Sequence, residues 1–162
     1  MVDVQDQSPV AGAPAPPETG AATAILSFRQ TSPYEGPVVA LADYAAASNT
    51  AAVRIEVGED ARALVPHLAR LRLIEIAFPK YRDGRGYSSA RILREAGFEG
   101  ELRAAGDILL DQMVFLRRAG FDSFAPAQAL DAAAVDVVLR RFPFVYQKSA
   151  DDAEPVWARR DG

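Results

Sequence analysis

Cysteine is absent from this chain of 162 residues, and histidine occurs once, as His67. Without a thiol there can be no disulfide, no thiolate nucleophile, no redox-active dithiol and no cysteine-ligated iron–sulfur cluster. With one imidazole there is no histidine-rich zinc or iron site. Long apolar runs are also missing. None approaches the roughly 18 residues that a membrane-spanning helix needs. The first residues, MVDVQDQSPVAGAPAPPETGAATA, lack the basic start and apolar middle of a secretory signal. Excess positive charge is lacking too. The net charge of −4 argues against a nucleic-acid partner, which asks for a basic face. A membrane partner is likewise not expected, and a cytoplasmic location fits.

What remains is the composition of a globular protein, with 49% apolar and 25% charged residues. The length suits one domain. Residues 1–24 are rich in Ala, Pro and Gly, carry few large apolar groups and read as a disordered leader. Residues 25–148 read as a single α/β domain. Residues 149–162 read as a flexible tail, with Trp157 as its one anchor.

Within the domain the pattern alternates. PVVALA and AVRIEV read as strands. EDARALVPHLARL has helical spacing through Leu64, Leu68 and Leu71, with Pro66 set to kink it or delay its start. LIEIAF, GELRAA and FDSFAP are further strands. SSARILREAG, DILLDQMVFLRRAG and AQALDAAAVDVVLRRF are helices, and FVYQ is a short final strand. His67 is a half-buried or surface helix residue. This alternation implies βα units and an open, mainly parallel sheet of about five strands with flanking helices. A partial βα-barrel-like curve is the alternative. The chain is too short for a full eight-fold barrel, so the expected form is an open three-layer sheet.

Two loops repeat the pattern Ala-Gly-Phe-acid, in REAGFEGEL and RRAGFDSF. Gly97 and Gly120 each close a helix. Glycine adopts the left-handed conformation there at little cost, and Phe98 or Phe121 folds back on the last turn. Arg94, Arg117 and Arg118 complement the helix dipoles. These are structural positions.

Ligands of parallel sheets bind at the carboxyl ends of the strands. The strand-to-helix stretch FPKYRDGRGYSSAR lies there. Lys80, Arg82 and Arg85 face a single carboxylate, Asp83, in a chain of negative net charge. Ser88 or Ser89 is a candidate N-cap, and free N–H groups at a helix start favour an anion. Arg85 can grip an oxyanion in bidentate fashion. Asp83 can instead orient Arg85 or Tyr87. Two charge-assisted contacts at about 1.5–3 kcal/mol each would support a weak to micromolar ligand. The stretch also approximates a dinucleotide fingerprint, with Asp107 near the acidic position. The third glycine is replaced by Ser89 and the turn is too long, which argues against nicotinamide or flavin. In the next loop Asp107 is expected to cap a helix. Arg103 interrupts a strand, where a buried cation needs a carboxylate or an anionic ligand. Asp111 and Gln112 can reach the same edge. The candidate binding set is therefore Lys80, Arg82, Asp83, Arg85, Tyr87, Ser88, Arg103, Asp107 and Gln112. Asp83 and Asp107 are the candidates for acid–base catalysis.

Residues 37–147 closely resemble the bacterial DUF934 family. The resemblance is carried by FPK, DGRGYS, AR, LRE, GELRA, GD, DQ, FLRR, GFD and the closing VYQ, in order and at the same spacing. Pro66, the leader and the longer tail depart from the pattern without touching these motifs. The family is described as an oxidoreductase involved in sulfite reduction, largely because its genes lie beside those for sulfite reductase and adenylyl-sulfate reductases. The resemblance therefore implies assimilatory sulfur metabolism. A chain without cluster ligands fits an accessory protein with a small oxyanion, sulfite reductase or adenylyl-sulfate reductase as partner. An enzyme acting on a small anionic substrate and a non-catalytic scaffold are the other two readings.

Overall fold

The computed structural model describes residues 24–46, 49–141, 144–151 and 153–161. Apart from Ala24, the expected leader lies outside them. Six strands form one sheet: β1 (Leu26–Ser27), β2 (Val39–Ala40), β3 (Ala52–Ile55), β4 (Leu73–Phe78), β5 (Glu101–Gly106) and β6 (Ser123–Pro126). The spatial order is β1-β6-β5-β4-β3-β2, and the sheet stays open. Only β1 runs antiparallel, against β6; every other pair is parallel.

From β2 to β6 the order follows the sequence, so each crossover steps in the same direction. Connections of one hand then place the crossover helices on one face. The buried side chains agree. Val53, Ile55, Ile74, Ile76, Leu102, Ala104 and Phe124 form one core with Leu93 of α1 (Arg85–Glu95), Leu116 of α2 (Met113–Arg118) and Val135 of α3 (Ala132–Arg140). The open parallel sheet is as expected, but the third layer is not. On the second face the Tyr34 backbone meets Glu101 and Arg103.

That second face carries charge. Strand register aligns Arg54, Glu75, Arg103 and Ser123 across β3 to β6. Arg103 is buried and pairs with Glu101 at 2.8 Å and Glu75 at 3.6 Å, while Glu75 also receives Arg54 at 2.8 Å. The Ser123 hydroxyl donates to Glu101. The backbone of Tyr34 closes the group: its N–H donates to Glu101 at 2.7 Å and its carbonyl accepts from Arg103 at 2.6 Å.

The segment around Pro66 is helical but forms a 3-10 helix, Ala61–Arg70, rather than an α-helix. Pro66 has no N–H for a regular i−4 ladder. Asp60 caps it through the Arg62 N–H, and Leu64 supplies the buried contact. His67 is half-buried, edge-on to Tyr44 at 5.3 Å. α1 and α2 end as expected. Gly97 and Gly120 have φ of 88° and 107°, and the N–H groups of Phe98 and Phe121 reach back to the carbonyls of Leu93 and Leu116 at 3.0 and 3.1 Å. Both phenylalanines are buried. The later helices are shorter than their patterns: a 3-10 turn, Leu110–Gln112, precedes α2, and α3 starts after the Asp131 cap. FVYQ contributes a single bridge, Val145 to Pro155. Beyond it Trp157 donates its indole N–H to the Tyr146 carbonyl at 2.8 Å.

Candidate functional site

The carboxyl ends of β4 and β5 bring the basic loop against the Gly106–Asp107 turn. Gly106 has φ of 116°, and a Cβ there would collide with the Phe78 carbonyl. Only glycine lets the two strand ends approach this closely. The Asp107 N–H then donates to that same carbonyl at 2.7 Å.

From this turn two side chains hold the loop. The Asp107 carboxylate accepts the Tyr81 N–H at 3.0 Å, and the Gln112 amide donates to the Tyr81 carbonyl at 2.6 Å. Gln112 also accepts the Leu109 N–H at 3.2 Å. Asp107 is thus a clamp on the neighbouring loop and not the expected helix cap. Both groups were legible as edge residues, but their common target was not, because it is a backbone unit.

Asp83 and Arg85 are committed to each other. Arg85 donates to Asp83 at 2.9 Å from Nε and 2.6 Å from its terminal nitrogen, and its N–H adds a third bond at 3.1 Å. The side-chain bonds from Arg85, then its backbone N–H, hold the Asp83 carboxyl down to about 2. This pairing moves the start of α1 forward to Arg85, with Gly84 as the cap residue. Ser88 and Ser89 therefore lie inside the helix, and neither is its N-cap. Arg85 stays exposed within this pair; Lys80 and Arg82 are exposed outside it, and Arg82 donates to the Tyr81 hydroxyl at 2.7 Å.

Tyr87 is half-buried, edge-on to Phe78 at 5.9 Å. Burial, and then the Asp111 carboxylate, push its phenol up. Gly86 is glycine because the Phe78 ring occupies the place of a Cβ. That is a packing role, unlike the phosphate approach a dinucleotide fingerprint requires. Arg103 does not join the loop. It sits three residues short of the strand end, about 10 Å away, and its charge is met by Glu101 and Glu75.

The sequence reading passed over one strand-to-helix loop, residues 56–60. Gly58 there has φ of 93°. With the first turns of α1 this loop bounds a cleft of about 210 Å³ that includes Arg85 and Ser88. Gly58 was the available signal. Among the described residues no cluster of histidine, aspartate and glutamate has the arrangement of a metal site, and no helix is long and apolar enough to cross a membrane.

Comparison with curated proteins and with solved structures gives no match. The model of the family described as "Bacterial protein of unknown function (DUF934)" matches residues 52–157, which include β3 to β6, the clamped loop and the Asp107–Gln112 turn. That span is well over half the sequence, and the chain belongs to this family.

Proposed function

We propose that this protein is an accessory factor of assimilatory sulfite reduction and presents its basic loop to a small oxyanion or to the reductase that handles one. The observation that carries the loop's role is the double clamp on Tyr81. Asp107 and Gln112 fix both backbone groups of that residue, so Lys80 and Arg82 project from a held turn. Cations on an ordered turn lose less entropy on pairing than cations on a loose one. The sulfur assignment rests on the position of the family's genes beside those for sulfite reductase and adenylyl-sulfate reductases. The accessory role follows from a sequence with no cysteine to ligate a cluster. Acid–base catalysis receives less support. Asp83 is locked to Arg85 with its carboxyl near 2, and Asp107 is engaged by a backbone N–H.

The test is growth of a clean deletion strain on sulfate, sulfite, sulfide or cysteine as sole sulfur source. Growth on sulfide and cysteine alone is expected. Complementation by a Lys80→Ala/Arg82→Ala variant should be impaired, and complementation by Arg91→Ala should be intact. Equal growth of the deletion strain on all four sources would overturn the assignment.

A further inference from the structure

A groove of about 690 Å³ lies between α1 and α2. Tyr87, Ser88, Arg91 and Glu95 of α1 line one wall, spaced as one helix face over about 12 Å. Phe115 of α2 stands in the other wall and is 61% exposed, while Met113 and Leu116 of the same helix are buried in the core. Residues 148–150 complete the groove, and they are fastened to the end of α2. Arg118 donates to the Gln147 carbonyl at 2.7 Å, and its own carbonyl accepts the Ala150 N–H at 3.1 Å and the Ser149 hydroxyl. Lys148 is therefore carried on a held segment.

The polar groups along this groove divide into spent and unspent. Arg94 and Arg118 are taken by Asp122 and Asp151. Arg91 pairs with Glu95, the one carboxylate among the lining residues, at exposed positions where an ion pair counts for little. That leaves the Tyr87 and Ser88 hydroxyls and the Lys148 ammonium, none of which meets an acceptor among the described residues. Burial, and then the Asp111 carboxylate, push the Tyr87 phenol up, so it stays protonated and able to donate. Three donors, one of them charged, are complementary to carboxylates.

The aromatic wall narrows the choice of occupant. A small oxyanion would leave Phe115 unused. A nucleic acid would meet a chain of net charge −4 with one unpaired cation in this groove. An aromatic anchor between two helices, edged by hydrogen-bond donors, suits a peptide segment. We propose that the α1–α2 groove docks an acidic segment of a partner protein, which lays an apolar side chain on Phe115 and its carboxylates against Lys148, Tyr87 and Ser88. Nothing in this assignment depends on the sulfur pathway or on what the basic loop binds.

Panning a random dodecapeptide library against the full chain tests it. The enriched peptides are expected to carry net negative charge and a Phe, Leu or Trp. Fluorescence polarisation of one such peptide should show saturable binding that weakens with added salt. Phe115→Ser and Lys148→Glu should each weaken it about tenfold or more. Replacing the peptide's carboxylates by amides should do the same. Ser88→Trp, which puts a ring into the groove, should block binding, and Arg140→Ala, an exposed cation of α3, should leave it unchanged. Circular dichroism confirms that each variant is folded; Lys148→Glu and Ser88→Trp carry the test if Phe115→Ser is not. Failure to enrich any peptide would overturn the proposal, as would enriched peptides without acidic residues or full binding by the folded groove variants. Binding to phosphatidylglycerol vesicles that is lost in Phe115→Ser, with no peptide binding, would assign the face to a membrane and overturn it as well.

Discussion

Asp83 shows how a residue chosen for chemistry can turn out to be a fastener. Its position in Arg-Asp-Gly-Arg made it a candidate acid or base, and the spacing to Arg85 was visible in the sequence. The missing information was that Arg85 would turn both its side chain and its N–H onto the same carboxylate. The outcome has a measurable sign. The folded state holds this carboxyl at about 2, below its ordinary value of 3.8. Folding therefore favours the ionised form. The stabilisation is fully present above pH 3.8 and is lost as pH falls through about 2. In a carbon-detected NMR titration Asp83 should remain largely ionised at pH 3, while Arg85→Ala should return it to the usual carboxylate range. An unshifted titration in the parent protein would refute the pairing.

At the scale of elements, periodicity and glycine placement were the readable signals. LIEIAF, GELRAA and FDSFAP form β4, β5 and β6, and both Ala-Gly-Phe turns close helices with the expected backbonding. Strand order was not readable, because residues of alternating polarity do not say which face a crossover takes. The Arg103 reading was right in its physics, since a buried cation did need a carboxylate. It failed in its target, because the answer lay two residues away in Glu101 and across the sheet in Glu75. Ser88 failed for a related reason: Asp83 satisfies the helix start before a serine is reached. The ladder on the second face can be tested directly. Arg103→Met leaves two buried carboxylates without their shared cation and should cost about 3–5 kcal/mol by chemical denaturation. Adding Glu101→Gln should recover part of that loss, because the stranded charge is removed. Strictly additive effects in this double-mutant cycle would show that the two side chains are not coupled.

Across the whole molecule, the family match begins at residue 52, yet the fold continues upstream of it. β1 pairs with β6 through Leu26 and Ser27, Arg29 pairs with Asp122 at 2.8 Å, and the Tyr34 backbone closes the Glu101–Arg103 pair. The Arg72 guanidinium also lies 5.4 Å from the centroid of the Tyr34 ring. These contacts tie residues 26–34 to β5 and β6 rather than to their sequence neighbours. The Tyr34 backbone also covers part of the charged sheet face at Glu101 and Arg103. If this upstream stretch is part of the folding unit, removing residues 1–36 should lower stability by about 2–5 kcal/mol, the sum of several hydrogen bonds at roughly 1 kcal/mol each. Removing residues 1–23 alone leaves every one of these contacts in place and should change it little. The urea midpoint of the longer truncation should fall while the transition stays cooperative, because the fully buried core formed by β3 to β6 and the helices is kept and only Leu26 and Phe28, packed against its rim, are lost. An unchanged midpoint would mean that β1 and the Tyr34 crossing contribute nothing to the fold. The Arg103 cluster would then owe its stability to Glu75 and Glu101 alone.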